Sequence, residues 1–207
     1  MRFFRTILAL ILPLIAASPS LAASSSADLP HVHVQLISPN AQFHPGSNDA
    51  GLYFKLEPGW HVYWRNPGDA GEPPHIKWTN SPQVTAGPLQ FPIPKRLPLG
   101  PLMDFGYEDE VVFPLKLDVK LLSGGGTGPY EIGTAVLHGK VDWLVCRGSC
   151  IPEKTELEIR RPIGQGSDAV QPDQQIWGRL DGVATFSDLT GHAGVVARGR
   201  GPGSWIV

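Results

Sequence analysis

The chain has 207 residues, of which 42% are hydrophobic and 17% charged, and its formal net charge is −2 at pH 7. This length and composition suit one domain with a real hydrophobic core, and a mildly acidic chain is not expected to bind nucleic acid. With 24 glycines and 21 prolines, the sequence stays just below the content at which disorder is the default. Many turns and short strands are therefore expected.

Residues 1–23 have the features of a secretory signal peptide. Two arginines precede an apolar run over residues 7–17, and small residues then lead to an expected cleavage after Ala22 or Ala23. No later segment reaches the roughly 18 apolar residues of a membrane helix, so the mature chain is expected to be soluble. We interpret the chain as exported to an oxidising compartment, in which two cysteines usually form a structural disulfide.

Between residues 30 and 162, apolar side chains alternate with a period of two, which predicts short β-strands and no amphipathic helix. Two of these strands, 52–56 and 60–64, flank Pro58-Gly59 and are interpreted as a hairpin with an aromatic inner face. Other strands are expected at 31–37, 76–78, 111–119 and 130–138, with a further start at Val84.

Two segments are expected to lie outside the regular strands. The proline-rich residues 89–101 should run extended, without ladder hydrogen bonds at the prolines, and residues 104–110 should form a polar loop. Eight or so strands at this spacing predict an all-β fold, an immunoglobulin-like β-sandwich. Residues 163–207 are expected to be a linker and a mobile tail.

Both cysteines lie in the segment VDWLVCRGSCIP, residues 141–152. Trp143 and Val145 alternate with Cys146, and Cys150 opens a second strand, which predicts a tight hairpin with Cys146 and Cys150 opposite each other. If Val145 faces the core, both sulfurs point to the outer face and are reachable. Such a loop usually ends in Gly or Asn, and Ser149 occupies that position, so a register slip of one residue stays open.

The chemistry of this pair has three interpretations. A disulfide closing so short a loop supplies only about 2 kcal/mol, which weakens a purely structural role and favours a redox role. Two thiolates could also bind Cu(I) or Zn(II), with His31 and His33 as the available further ligands; this ranks well behind thiol chemistry, and no cofactor is expected. No helix begins at Cys150 and no neighbouring base is evident, so the sequence offers no reason for an activated thiol.

Three blocks of the chain carry a family resemblance: GWHVYWRNPGDAG (59–71), FPIPKRLPLGPLMDFGYEDEV (91–111) and WLVCRGSCIPE (143–153). Together they resemble the N-terminal periplasmic domain of the thiol:disulfide interchange protein DsbD, and especially its ScsB-like relatives, over residues 30–162. The resemblance implies an immunoglobulin-like domain with a redox-active hairpin. Cys150 would form the mixed disulfide with partners, and Cys146 would resolve it.

The resemblance also implies partners and a cap. A membrane-embedded domain and a thioredoxin-like domain would deliver electrons, and this domain would reduce periplasmic disulfides, which makes it a component of a protein-disulfide reductase. A loop with an aromatic residue covers the sulfurs in that family. DFGYEDE matches it approximately, so Asp104, Phe105 and Tyr107 are the candidate cap.

Two departures from the family leave alternatives. The cysteines are separated by only three residues, and no membrane or thioredoxin-like part is present, so the chain either works with separately encoded partners or is shortened. The alternative function is a non-catalytic secreted β-sandwich that binds a protein or copper and carries a structural disulfide. The downstream substrate could be a disulfide isomerase, a cytochrome c maturation protein or a peroxide-handling protein.

Overall fold

Eleven β-strands are found in the residues that the computed structural model describes, which are 24–121, 133–164 and 175–177. In chain order they are β1 (Ser26–Leu29), β2 (Val32–Ile37), β3 (Gly46–Leu56), β4 (His61–Gly68), β5 (His75–Trp78), β6 (Val84–Ala86), β7 (Lys95–Leu99), β8 (Leu102–Glu108), β9 (Glu110–Val119), β10 (Thr134–Arg147) and β11 (Ser149–Pro162). No helix among the described residues is long and apolar enough to cross a membrane.

The strands form two sheets that pack face to face. One sheet has the order β1-β2-β3-β9-β6, and the other has the order β11-β10-β4-β8-β7, with β5 also paired to β10. The named strands pair antiparallel throughout. Alternate apolar residues of both sheets point inward, as their period of two requires, and form one core. The predicted all-β, immunoglobulin-like sandwich is confirmed.

Aromatic rings form the centre of this core. Phe113 is fully buried and meets Phe54, Phe91 and Tyr107 edge to face, with ring centroids 5.7, 5.0 and 5.2 Å apart. Trp143 packs on Phe54 at 5.2 Å, so β10 is joined to the opposite sheet directly below the cysteine hairpin. Rings in this arrangement add to the hydrophobic stabilisation that burial gives.

The predicted hairpin of residues 52–56 and 60–64 is wrong. β3 pairs with β2 and β9, whereas β4 pairs with β10 and β8, so the turn between them carries the chain from one sheet to the other. Both strands do turn the predicted apolar side inward. A strand pattern gives the buried face but not the neighbour, which explains the error.

The predicted polar loop at 104–110 is also wrong, because β8 and the start of β9 cover most of it. β8 lies between β4 and β7, and its buried carboxylate, Asp104, accepts a hydrogen bond from the Ala70 amide at 3.0 Å. Within the proline-rich segment, β7 is the edge strand of its sheet, where a residue without an N–H is tolerated.

The other predicted segments are the strands before the cysteines, the signal peptide and the C-terminal tail. β10 runs without a break from Thr134 to Arg147, although the sequence indicated two separate strands there. The signal peptide at 1–23 and most of the tail at 163–207 lie outside the described residues. Ile176 and Trp177 are described, and they pack against Ile37, Tyr53 and Val112 on the outer side of the β2-β3-β9 sheet.

Replacing Phe113 by Ala should lower the free energy of unfolding by about 3 to 5 kcal/mol, because it leaves a cavity among three rings. The measurement is urea denaturation followed by tryptophan fluorescence. Leu121→Ala, at a side chain that is 64% exposed, is the control and should change stability by less than about 0.5 kcal/mol. Equal effects of the two changes would contradict this description of the core.

Candidate active site at the cysteine hairpin

The hairpin of β10 and β11 has the register that the sequence predicts. Val145 pairs with Ile151 and Cys146 with Cys150, and the two Sγ atoms are bonded at 2.03 Å. No slip occurs at Ser149, because Gly148 takes the left-handed conformation that the turn needs, with φ of 76°.

The two sulfurs differ in access, so the prediction that both are reachable is wrong for Cys146. Cys146 is only 2% exposed, whereas Cys150 is exposed. The strand order explains the difference: β11 is an edge strand, but β10 lies between β11 and β4, whose His61 is paired with Cys146. An incoming thiolate can therefore reach Cys150 far more readily than Cys146.

Register places four side chains in one row across the outer face of this sheet. Cys150 on β11 is opposite Cys146 on β10, Cys146 is opposite His61 on β4, and His61 is opposite Glu108 on β8. Residues paired in this way point to the same face, and their Cβ atoms lie roughly 4.5 to 5.5 Å apart. The disulfide thus has an imidazole beside it and a carboxylate beyond the imidazole.

Tyr63, two residues after His61 on the same face of β4, contacts the disulfide directly. Its hydroxyl lies 3.5 Å from Cys150 Sγ and donates to it, since a disulfide sulfur carries no hydrogen. Burial, and secondly the negative charge of Asp104, raises the pKa of Tyr63 above its ordinary value of 10.0. The phenol therefore stays protonated and is a fixed donor beside the sulfur.

The loop after β4 covers the ring of Tyr63. Gly71, with φ of +92°, lies so close that a Cβ at this position would be 2.2 Å from Tyr63 Cζ. Two carboxylates hold the loop: Asp69 accepts from the Met103 amide at 2.7 Å, and Asp104 accepts from the Ala70 amide. Tyr63 is consequently only 1% exposed.

The three residues of the candidate cap have different surroundings. Tyr107 is in the core, where its hydroxyl donates to the Pro92 carbonyl at 2.6 Å, and burial raises its pKa. Phe105 meets Trp64 edge to face at 6.4 Å, and Asp104 is buried beneath the loop over Tyr63. The aromatic group in contact with a sulfur is Tyr63, which the sequence pattern did not single out.

The hairpin tip is held by its own arginine. The guanidinium of Arg147 lies 5.1 Å from the centre of the Trp60 ring, and the same ring stacks on His31 at 3.9 Å. Such contacts favour one position of a charged side chain. Beside the tip, a groove of about 360 Å³ has His61, two acidic residues and two arginines among its lining residues: Asp104, Glu108, Arg96 and Arg147.

The imidazoles considered for metal binding are engaged elsewhere. His31 contacts Glu57 at 2.8 Å, and His33 contacts Asp28 at 2.7 Å. Within the described part of the chain, no group of three or more His, Cys, Asp or Glu side chains could hold a metal ion.

The fold and the site together define an immunoglobulin-like domain that carries a cysteine pair at a hairpin tip. Residues 33–162 match the protein family described as "Thiol:disulfide interchange protein DsbD, N-terminal". The chain belongs to this family, and it is a thiol-disulfide exchange domain.

A solved structure has a similar fold. The crystal structure of the N-terminal periplasmic domain of ScsB from Proteus mirabilis matches with a TM-score of 0.51 and 22% sequence identity. The match covers 83% of this chain and 59% of that one, so this chain spans about three fifths of its length. The comparison with curated proteins finds no match.

His61 and Tyr63 are site residues that the sequence analysis does not identify. The usable signal is alternation: Trp60, Val62 and Trp64 are predicted on the inner face, so His61 and Tyr63 must be on the outer face, as the cysteines are. Their proximity to the cysteines depends on β4 pairing with β10, which the pattern does not give.

Tyr63→Phe should slow alkylation of Cys150 about tenfold near pH 7, because a hydrogen bond to a charged sulfur is worth about 1.5 kcal/mol or more. The measurement is the iodoacetamide rate of the Cys146→Ser variant with and without the change. Tyr107→Phe is the matched control, since its hydroxyl binds a backbone carbonyl, and it should leave the rate unchanged. Equal rates for the two phenylalanine variants would contradict a donor role for Tyr63.

Gly71→Ala should destabilise the domain by about 1 to 3 kcal/mol and expose Tyr63, because the new methyl group overlaps the ring. Gly46→Ala is the control for backbone strain alone, since Gly46 also has positive φ but no atom within 4 Å of the position that a Cβ would take. Denaturant unfolding should show a clearly larger loss for Gly71→Ala, and the opposite order would contradict the close packing of this loop.

Proposed function

We propose that this chain is a periplasmic electron-relay domain that takes two electrons from a thioredoxin-like or membrane-bound donor and reduces disulfides of periplasmic proteins. The observation that carries the proposal is the unequal exposure of the two bonded sulfurs, Cys150 open to solvent and Cys146 covered. A relay needs one sulfur to meet partners and one to complete the exchange.

The proposed reaction has two halves. In the first, a donor thiolate attacks Cys150 Sγ and breaks the bond to Cys146, which leaves as a thiolate. The second thiol of the donor then attacks the donor sulfur of this mixed disulfide, so that the donor is oxidised and the pair is reduced. In the second half, the Cys150 thiolate attacks a partner disulfide, and Cys146 closes the bond to Cys150 while the partner leaves as a dithiol.

Several neighbours support this role for Cys150. Tyr63 donates to its sulfur, which favours the thiolate over the thiol, and the Arg147 side chain beside the turn adds a positive charge at the tip. Asp104 acts indirectly in this proposal, by holding the loop over Tyr63. Phe105 meets Trp64, which packs against the core on the other face of the sheet, so we propose no cap role for Phe105.

The origin of the electrons and their destination are inferred from the family and from the proposed export of the chain. The ScsB domain of similar fold is described as periplasmic, and we propose the same location here. A thioredoxin-like protein is the proposed partner because one thiol of its exposed dithiol can attack Cys150, and the second can then break the mixed disulfide.

A Cys146→Ser variant should form a disulfide-linked complex with a purified thioredoxin whose second cysteine has been replaced. The single thiol of the thioredoxin is first activated as a mixed disulfide with an aromatic thiol, and Cys150 then displaces the aromatic thiol. The complex should run at the summed mass on a non-reducing gel. Cys150→Ser is the matched control and should form little complex, because its remaining sulfur is buried. Preferential complex formation by the Cys150→Ser variant would reverse the proposed roles.

A redox titration separates the relay from a structural bridge. An exchanging pair should have a reduction potential above about −300 mV, whereas a structural disulfide in a secreted domain lies below that value. The measurement is the fraction of reduced pair, trapped by acid and alkylation, against thiol buffers of known poise. A value well below the limit would contradict the relay and favour the alternative of a non-catalytic binding module.

A further inference from the structure

We propose that His61 accepts the proton of the Cys146 thiol when Cys146 attacks the mixed disulfide on Cys150. The inference rests on the proposed function, and it adds a residue for the step in which the partner is released. It is carried by the place of His61 in the sheet, directly across from Cys146.

Geometry gives His61 the position of a base. It is paired with Cys146 on one side and with Glu108 on the other, so its side chain leaves the sheet between theirs on the same face. Tyr63 meets the ring edge to face at 5.1 Å and restrains it. Among the described residues, nothing accepts from or donates to His61 Nε2, which is buried.

Two carboxylates near His61, Asp104 and Glu108, favour the imidazolium that proton transfer produces. The groups facing it are Tyr63 on its own strand, Asp104 and Glu108 on β8, and the arginines Arg96 and Arg147 that line the same groove. Burial lowers the pKa of His61 from 6.5, and the charges of Asp104 and Glu108 oppose this shift. His61 is therefore neutral near pH 7 and able to accept a proton, and the two carboxylates stabilise the charge once it forms.

Atoms and electrons balance in this step. Cys146–SH gives its proton to His61, and its sulfur forms the bond to Cys150 Sγ. The bond between Cys150 and the partner sulfur breaks, and the partner leaves as a thiolate with the electron pair. His61 passes the proton to solvent through the groove, which its ring lines. In the opposite direction, when a donor reduces the pair, the imidazolium protonates the leaving thiolate of Cys146.

The size of the effect has an upper limit. An ordinary thiol with a pKa near 8.5 is only about 3% ionised near pH 7, so full removal of its proton could speed attack by at most about 30-fold. Within this limit, we expect His61 to increase the rate of attack about tenfold. Near pH 9 most of the thiol ionises without help, and the contribution of His61 should disappear.

The test uses the reduced full chain and 5,5′-dithiobis(2-nitrobenzoic acid) as the disulfide. Cys150 attacks first and releases one thionitrobenzoate, and Cys146 then releases the second, so stopped-flow absorbance separates the two steps. His61→Gln should slow the second phase about tenfold near pH 7 and not near pH 9. The first phase, measured in the Cys146→Ser background, should change less than about twofold.

His75→Gln is the matched control. His75 is an exposed imidazole of the same sheet, opposite Asp142, which is four residues from Cys146 along β10. It should leave both phases unchanged. A second phase of His61→Gln that is unchanged near pH 7, or slowed equally at both pH values, would overturn the proposal.

The wild-type chain gives a second measurement that does not depend on how the variant folds. Its second phase should change little from about pH 8.5 down to pH 7 and then lose rate as pH falls through the pKa of His61, below 6.5, whereas ionisation of a thiol alone predicts a loss of about tenfold per pH unit over the whole range below about 8.5. A profile that follows the thiol alone would also overturn the role of His61. Absence of the first phase in the wild type would instead contradict the proposed function, and with it this step.

Discussion

The antiparallel pairing of β10 with β11 is the constraint on which the rest of the site depends. It places Cys146 opposite Cys150 across a turn made by Gly148, and it leaves one sulfur on an edge strand and the other inside the sheet. The same long strand carries Trp143 into the core, where it packs on Phe54. The reactive tip is therefore an extension of the rigid sandwich.

The second feature of the site is the strand beside the cysteines. β4 brings Tyr63 to Cys150 and His61 to Cys146, so each sulfur has its own polar neighbour. Tyr63 is in turn covered by the loop at Gly71, and Asp104 holds this loop by a hydrogen bond. A sheet without a helix at the cysteine can in this way provide a hydrogen-bond donor beside the sulfur, which other thiol proteins take from a helix N-terminus.

The unequal burial of the two sulfurs follows from the fold and gives the two cysteines different roles in the proposed exchange. An edge position makes Cys150 available to another protein, and a central position keeps Cys146 for reaction within the chain. Such a division limits side reactions, because only the exposed sulfur is accessible for a mixed disulfide with another protein. It also makes the release of a partner depend on the surroundings of Cys146, where His61 lies.

The sequence by itself determined the all-β class, the inward faces of the strands and the presence of the cysteine hairpin, whose register it left open by one residue, because alternation and tight turns act over a few residues. It did not determine that β3 and β4 lie in different sheets, that residues 104–108 form a strand, or that His61 and Tyr63 stand beside the sulfurs. Those features depend on which strands become neighbours, and antiparallel pairing is open to any strand with a suitable face. Only the tertiary structure selects the partner, and with it the chemistry around the disulfide.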